Sequence, residues 1–246
     1  MTHFDAFNGD ADGLCALHQL RLAEPKASVL ITGVKRDVAL LRRVDAAPGD
    51  SVTALDISVD ANRAALVALL ERGVRVEYFD HHFAGDLPAH PNLSAVVDPS
   101  AHVCTAMLVD RYLNGRYRVW AVVAAFGDDL PDEGSALAED LHLSDAQTEG
   151  LRALGEALAY NAYGDVESDL IVNPALLYRS LHRYADPFEF MRTEPIYRTT
   201  DESRRRIDLM LVDAAEAVRR RRTARRVRDP AEQPEAVVAP LHDDRR

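Results

Sequence analysis

The stretch Val74-Arg75-Val76-Glu77-Tyr78-Phe79-Asp80-His81-His82 decides how this chain folds. Val74, Val76, Tyr78 and Phe79 are strand formers, and Arg75 and Glu77 alternate with the first of them, so the run reads as a β-strand. Its C-terminal end delivers a carboxylate and two imidazoles to one place. In open α/β sheets, that end of a strand is where ligands bind. Upstream, 4–7 reads as a strand that breaks into the turn Asn8-Gly9-Asp10-Ala11-Asp12-Gly13. A helical pattern over 14–22 follows and Pro25 ends it. A second strand over 29–34 leads into Lys35-Arg36-Asp37 and a short helix over 38–44. The next strand, 51–55, ends in Asp56. A helix over 61–72, with Asp60 as its expected cap and Gly73 as its stop, leads back to the opening stretch. A further short strand over 93–97 ends in Asp98. Alternation of strand and helix predicts an α/β fold: a mostly parallel sheet flanked by helices.

Beyond residue 101 the pattern turns helical, over 101–113, 117–126, 145–160 (capped by Ser144) and 174–184. The expected organisation is an α/β core over 1–130, a helical extension over 131–200, a linker-like helix over 201–228 and a flexible tail over 229–246. That last helix carries Arg204-Arg205-Arg206 and Arg219-Arg220-Arg221-Arg222. Charge runs of this kind are usually a solvated face, and no aromatic residue is interleaved for base stacking.

With 29 basic and 40 acidic residues the net charge is −11, which argues against coating nucleic acid by bulk electrostatics. The two cysteines, Cys15 and Cys104, lie in apolar helical contexts and read as buried thiols, not a disulfide or a zinc site. That fits a reducing cytoplasm, the expected location. No segment is apolar over a membrane-spanning length, and Met1-Thr2-His3-Phe4-Asp5 does not read as a signal peptide.

The acids at the strand ends form a set with the histidines. Asp10 and Asp12 follow the first strand, Asp56 the third, and Asp80, His81 and His82 the fourth. Ala124-Ala125-Phe126-Gly127-Asp128-Asp129 places another acid after a small, apolar approach. Clustered carboxylates repel one another and call for cations between them. Carboxylate with imidazole and no thiolate suits Mn²⁺, Mg²⁺ or another hard divalent ion. Several acids with few neutral ligands suggest two ions about 3.5–4 Å apart, an apparatus for phosphoryl transfer. A nucleotide-dependent kinase is excluded for want of a Gly-x-x-x-x-Gly-Lys-Ser/Thr loop.

The order of these motifs, Asn-Gly-Asp-Ala-Asp-Gly, strand-end Asp56, Asp-His-His and Gly-Asp, resembles the DHH phosphoesterase superfamily over about residues 4–130. That superfamily includes RecJ-type exonucleases, oligoribonucleases, cyclic-dinucleotide phosphodiesterases and family II pyrophosphatases. The resemblance implies a phosphoesterase that hydrolyses nucleotides or short single-stranded oligonucleotides with two Mn²⁺ ions. Asp10 would bind one ion and Asp12 the other. Asp56 and Asp128, with Asp129 as the alternative to Asp128, would bridge or complete the pair, and His81 would be a ligand. His82 would face the scissile phosphate, oriented by Asp80. Asn8 stands where members usually carry His or Asp. The Gly-Gly-Gly-His-type motif of a downstream lobe is absent from this chain, leaving a truncated form and a single-lobe member both open. Asn8, Lys35, Arg36, His102 and Thr105 are the expected substrate contacts, with backbone N–H groups at the helix start near Thr105 offered to an anion. The turn Tyr160-Asn161-Ala162-Tyr163-Gly164 could line the cleft. The alternative is a binding or scaffold protein that keeps the fold without turnover. No membrane partner is expected, and the oligomeric state is not legible.

Overall fold

Five short strands form one all-parallel sheet: β1 (His3–Phe7), β2 (Val29–Ile31), β3 (Ser51–Leu55), β4 (Arg75–Asp80) and β5 (Leu93–Val97), in the order β2-β1-β3-β4-β5. This is a computed structural model, and it describes residues 1–200 together with 202 and 203. The linker helix expected over 201–228 lies outside the described residues except at 202 and 203, and the tail over 229–246 lies wholly outside them.

Period-two alternation sorts the side chains to the two faces. Phe4, Ala6, Val52, Ala54, Val76 and Tyr78 pack into one core with Leu66, Leu69 and Leu70 of α2 (Val59–Glu71). Phe7, Leu55 and Phe79 pack into the other with Leu14, Leu17 and Leu20 of α1 (Ala11–Ala23). The second core continues into the helices that follow: α3 (Thr105–Tyr112), α4 (Arg118–Gly127), α5 (Pro131–Asp140), α6 (Asp145–Asn161), α7 (Pro174–Leu181) and α8 (Pro187–Thr193). The architecture is α/β, with helices on both faces of the sheet.

Trp120 anchors this second core. It is fully buried, its Nε1–H donates to Ala185 O at 2.8 Å, and the His18 ring meets it edge-on at 4.6 Å. Burial of large apolar side chains of this kind contributes about 1.5–3 kcal/mol each. Burial lowers the His18 pKa to about 3, so the ring is neutral and packs as a core residue. Gly155 lets α6 and α4 touch backbone to backbone: a Cβ there would lie 2.2 Å from Val123 O and 2.9 Å from Gly127 N. That close approach fixes the end of α4, where Asp128 begins.

Several boundaries differ from the sequence reading. β2 stops at Ile31, and the helix expected over 38–44 is only a 3₁₀ turn at Leu40–Arg43. Ser58, not Asp60, precedes the first turn of α2, and Asp60 sits within that turn. α3 starts at Thr105, four residues later than expected, because Ala101 and His102 sit in a turn. α5 and α8 were not anticipated. Among the described residues, no helix is long and apolar enough to cross a membrane.

Candidate metal centre

The strand order reverses between β1 and β3, so the loops leaving these neighbours diverge and open a crevice at their C-terminal ends. Asp10 and Asp12 leave β1, Asp56 leaves β3, and Asp80, His81 and His82 leave β4. Gly13 permits the tight turn after β1: a Cβ there would lie 2.2 Å from Asn8 O. Asp10 caps α1, its Oδ1 accepting from the N–H groups of Asp12 (3.1 Å) and Gly13 (3.2 Å). Its Oδ2 lies 2.7 Å from Lys35 Nζ. Burial pushes the Asp10 pKa up, but Lys35 and the Gly13 N–H outweigh it and hold the carboxyl below its ordinary value.

Asp12 is tied to the start of α3. Its two oxygens accept from Thr105 N–H and Ala106 N–H, each at 2.7 Å. The helix start does hold an anion, but the anion is the protein's own carboxylate. The expected substrate role of these N–H groups is corrected accordingly, and Thr105 Oγ1 instead faces Asp56 Oδ1 at 3.4 Å. Asp56 is buried and turns the chain with φ at +56°, a left-handed conformation that Asp tolerates better than most residues. Burial, then the charges of Asp12, Asp10 and Asp128, push its pKa well up.

His81 Nε2 stands in the middle of the acids, 3.4 Å from Asp56 Oδ1, 3.6 Å from Asp128 Oδ2 and 3.9 Å from Asp12 Oδ2. Asp128 caps the C-terminus of α4. Burial and the charges of Asp12 and Asp10 raise its pKa to about 7. Asp129, at φ +59°, turns outward and is exposed, so Asp128 is the acid that faces the cluster. Asp80 is buried, with Oδ1 2.7 Å from His82 Nδ1. That bond raises the His82 pKa, burial opposing it. The His82 side chain is 40% exposed, which leaves the ring accessible from solvent.

The donor set fits a divalent cation. Asp12, His81 and Asp128 each offer a ligand atom within 4.8 Å of the others, as do Asp56, His81 and His82. The donors are oxygen and imidazole nitrogen; burial raises the pKa values of Cys15 and Cys104, keeping both thiols protonated. Two buried oxygens at the site, Asp80 Oδ2 and Asn8 Oδ1, have no hydrogen-bond partner among the described residues. Burial first, and then repulsion among the acids, raise the pKa values of Asp56 and Asp128, a cost that a cation between them would offset.

The remaining predicted residues divide. Lys35 joins the cluster, bridging Asp10 and Asp128 (3.6 Å). Asn8 is buried beside it, its Nδ2 donating to Lys35 O at 3.4 Å. Arg36 does not join: its exposed side chain pairs with Asp165 at 2.5 Å. His102 is 83% exposed and pairs with Glu133 of α5, so the structure does not bring it to the acids. Tyr163, 64% exposed with its ring centroid 5.8 Å from Lys35 Nζ, is an aromatic neighbour of the cluster.

No protein-family model matches the sequence, and no curated protein matches it. Solved structures do match. They are structures of RecJ with manganese. An exonuclease RecJ bound to manganese shares 20% identity at a TM-score of 0.48, over 89% of this chain and 64% of that one. RecJ from Thermus thermophilus in complex with Mn²⁺ shares 20% identity at a TM-score of 0.39, over 74% of this chain and 34% of that one. The chain spans less than two thirds of either. At this identity the likeness is one of fold.

Proposed function

We propose that the protein is a divalent-metal-dependent phosphoesterase that hydrolyses phosphodiester or phosphomonoester bonds of nucleotides or short single-stranded oligonucleotides. One observation carries the reading: acids from three separate chain segments, Asp12, Asp56 and Asp128, converge on His81 Nε2 of a fourth. Asp12, Asp56, His81 and Asp128 would hold the cation, Mn²⁺ or Mg²⁺ by the hardness of the donors. A bound cation supplies charge neutralisation at the carboxylates, activation of water and stabilisation of charge on phosphoryl oxygens.

The chain's own residues account for the rest. Asp80 holds His82 through Nδ1, which leaves Nε2 outside that bond on a side chain that is 40% exposed. Because the Asp80 bond raises its pKa, His82 holds a proton it can donate to a phosphoryl or leaving-group oxygen. Hydrolysis adds water across the P–O bond: hydroxide goes to phosphorus, His82 gives a proton to the departing oxygen, and the water's own proton passes to solvent, from which His82 is reprotonated. Lys35 brings a positive charge beside Asp10 and Asp128, and Tyr163, next to it, offers a ring to a nucleobase.

The test is Mn²⁺-dependent turnover on a chromogenic phosphodiester, phosphoadenosine phosphate, cyclic dinucleotides, short RNA and single-stranded DNA, with Asp56→Ala and His81→Ala as controls. Turnover of at least one substrate, lost in both variants, is expected. Mn²⁺ binding without any turnover would give the binding-scaffold alternative instead. Turnover that survives both substitutions would refute the site assignment.

A further inference from the structure

The acids of the cluster do not share one environment. Asp12, Asp56 and Asp128 surround His81 Nε2, whereas Asp10 belongs to neither three-donor group. Its Oδ1 is committed to the Asp12 and Gly13 N–H groups, and its Oδ2 to the Lys35 ammonium at 2.7 Å. Lys35 is held for this position at several points. Its N–H donates to Ala162 O at 3.0 Å, its carbonyl accepts from Asn8 Nδ2 at 3.4 Å, and its ammonium lies 3.6 Å from Asp128 and 5.8 Å from the centre of the Tyr163 ring. Asn8, next to this pair, is a neutral amide where an acid would add a further negative charge.

The two three-donor groups also overlap in a way that limits them. His81 is common to both, and its Nε2 is the atom that faces Asp12, Asp56 and Asp128. An imidazole nitrogen carries a single lone pair, so it ligates one ion and cannot bridge two. The two groups therefore cannot each hold an ion through His81 Nε2 at the same time. The position beside Asp10 already holds a cation, covalently attached to the chain.

We propose that the Lys35 ammonium is a built-in cation at Asp10, so that the centre takes one divalent ion, held by Asp12, Asp56, His81 and Asp128, in place of a pair. This rests on the reading of the cluster as a metal centre. A fixed monovalent ammonium neutralises Asp10 and can hold a phosphoryl oxygen, but it does not activate water. Water activation then falls to the single ion at His81, and Lys35 serves as a positioning charge for the substrate.

Counting ions separates this proposal from the reading it rests on. Mn²⁺ bound at saturation is measured by equilibrium dialysis with metal analysis, and spin coupling by electron paramagnetic resonance. The folded protein should bind one ion, with an uncoupled Mn²⁺ signal. Lys35→Met should bind two, with a coupled-pair signal, and Lys35→Arg should remain at one. Two ions on the unsubstituted chain, or one on both it and Lys35→Met, would overturn the proposal while leaving a metal centre in place. No Mn²⁺ on any form would overturn both. Should Lys35→Met fail to fold, Asp10→Asn, which keeps a helix-capping oxygen, decides the matter. Its Mn²⁺ affinity should stay within about threefold of the unsubstituted chain, whereas a loss of about tenfold or more, typical of removing a group on which the metal depends, would overturn the proposal.

Discussion

Asp128→Asn should stabilise the metal-free protein at alkaline pH and destabilise it once metal is added. The Asp128 carboxylate is half-buried, and that burial, with the charges of Asp12 and Asp10, raises its pKa from 3.8 to about 7. Ionising it in the folded state therefore costs about 4 kcal/mol at the usual conversion of about 1.4 kcal/mol per pH unit. Part of that repulsion is shared with the other acids, so about 2–4 kcal/mol is the range to test. The sign follows from the protons bound. Below pH 3.8 the group is neutral folded and unfolded, and it contributes no penalty. Between 3.8 and about 7 the unfolded chain gives up the proton while the folded chain keeps it, so stability falls as pH rises, and above about 7 the loss is complete. Asparagine has no such proton. In chelator, the melting temperature of Asp128→Asn minus that of the unsubstituted protein should therefore climb from near zero at acid pH to about 4–16 °C at about pH 8. Saturating Mn²⁺ should reverse the difference, because the cation rewards the carboxylate the variant lacks. Differential scanning calorimetry or fluorimetry across pH measures both arms. A difference that is flat with pH in chelator, or that Mn²⁺ leaves unchanged, would refute the electrostatic account of the cluster.

Asp80→Asn removes the charge whose bond raises the His82 pKa, so His82 should titrate lower by histidine NMR, and the alkaline limb of the turnover profile should move down with it; an unmoved limb would deny Asp80 its orienting role. Asp5→Asn strands the buried Arg21 guanidinium, which now bonds Asp5 and Thr53, and should cost about 3–5 kcal/mol by chemical denaturation. Although burial opposes it, bonding from His3, Arg21 and Ser28 holds the Asp5 pKa at about 2, so this stability is present above pH 3.8 and lost as pH falls toward about 2; the acid-unfolding midpoint of Asp5→Asn should depend less on that window. Gly155→Ala would place a Cβ 2.2 Å from Val123 O and should destabilise by about 1–3 kcal/mol or more, read as a lowered denaturant midpoint.

The α/β architecture was legible because strand formers and helical periods alternate over the first hundred residues, and because polar residues stand at the strand ends. What could not be read was length. Val29 to Val34 is β-forming throughout, yet pairing with β1 ends at Ile31 because Phe7, the last residue of β1, pairs only with β3. Residues 131–140 were missed as a helix because their first turn is Pro-Asp-Glu-Gly. Pro at the first helical position and acids in the first turn favour a helix start, but Gly134 weakens the periodic signal. Gly134 is there for packing: a Cβ would lie 2.8 Å from the Phe126 ring. Such a reason exists only once the helices are docked.

At the site, legibility followed the distance between a side chain and its strand. Asp10, Asp56 and His81 lie within a few residues of a strand end, and the sheet carries all three to one crevice whatever their rotamers. Lys35, Arg36 and His102 sit on longer loops with longer reach, and their destinations were set by partners far away in sequence: Asp10 and Asp128 for Lys35, Asp165 for Arg36, Glu133 for His102. Adjacent Lys35 and Arg36 read alike as phosphate contacts, yet one enters the cluster and the other leaves it. The difference is that backbone bonds from Lys35 to Ala162 and from Asn8 to Lys35 turn that residue inward. The identity of a strand-end acid therefore predicts its place, whereas the identity of a loop cation predicts only that it will seek an acid. For Lys35 that acid is Asp10, which the sequence reading had set aside for a metal.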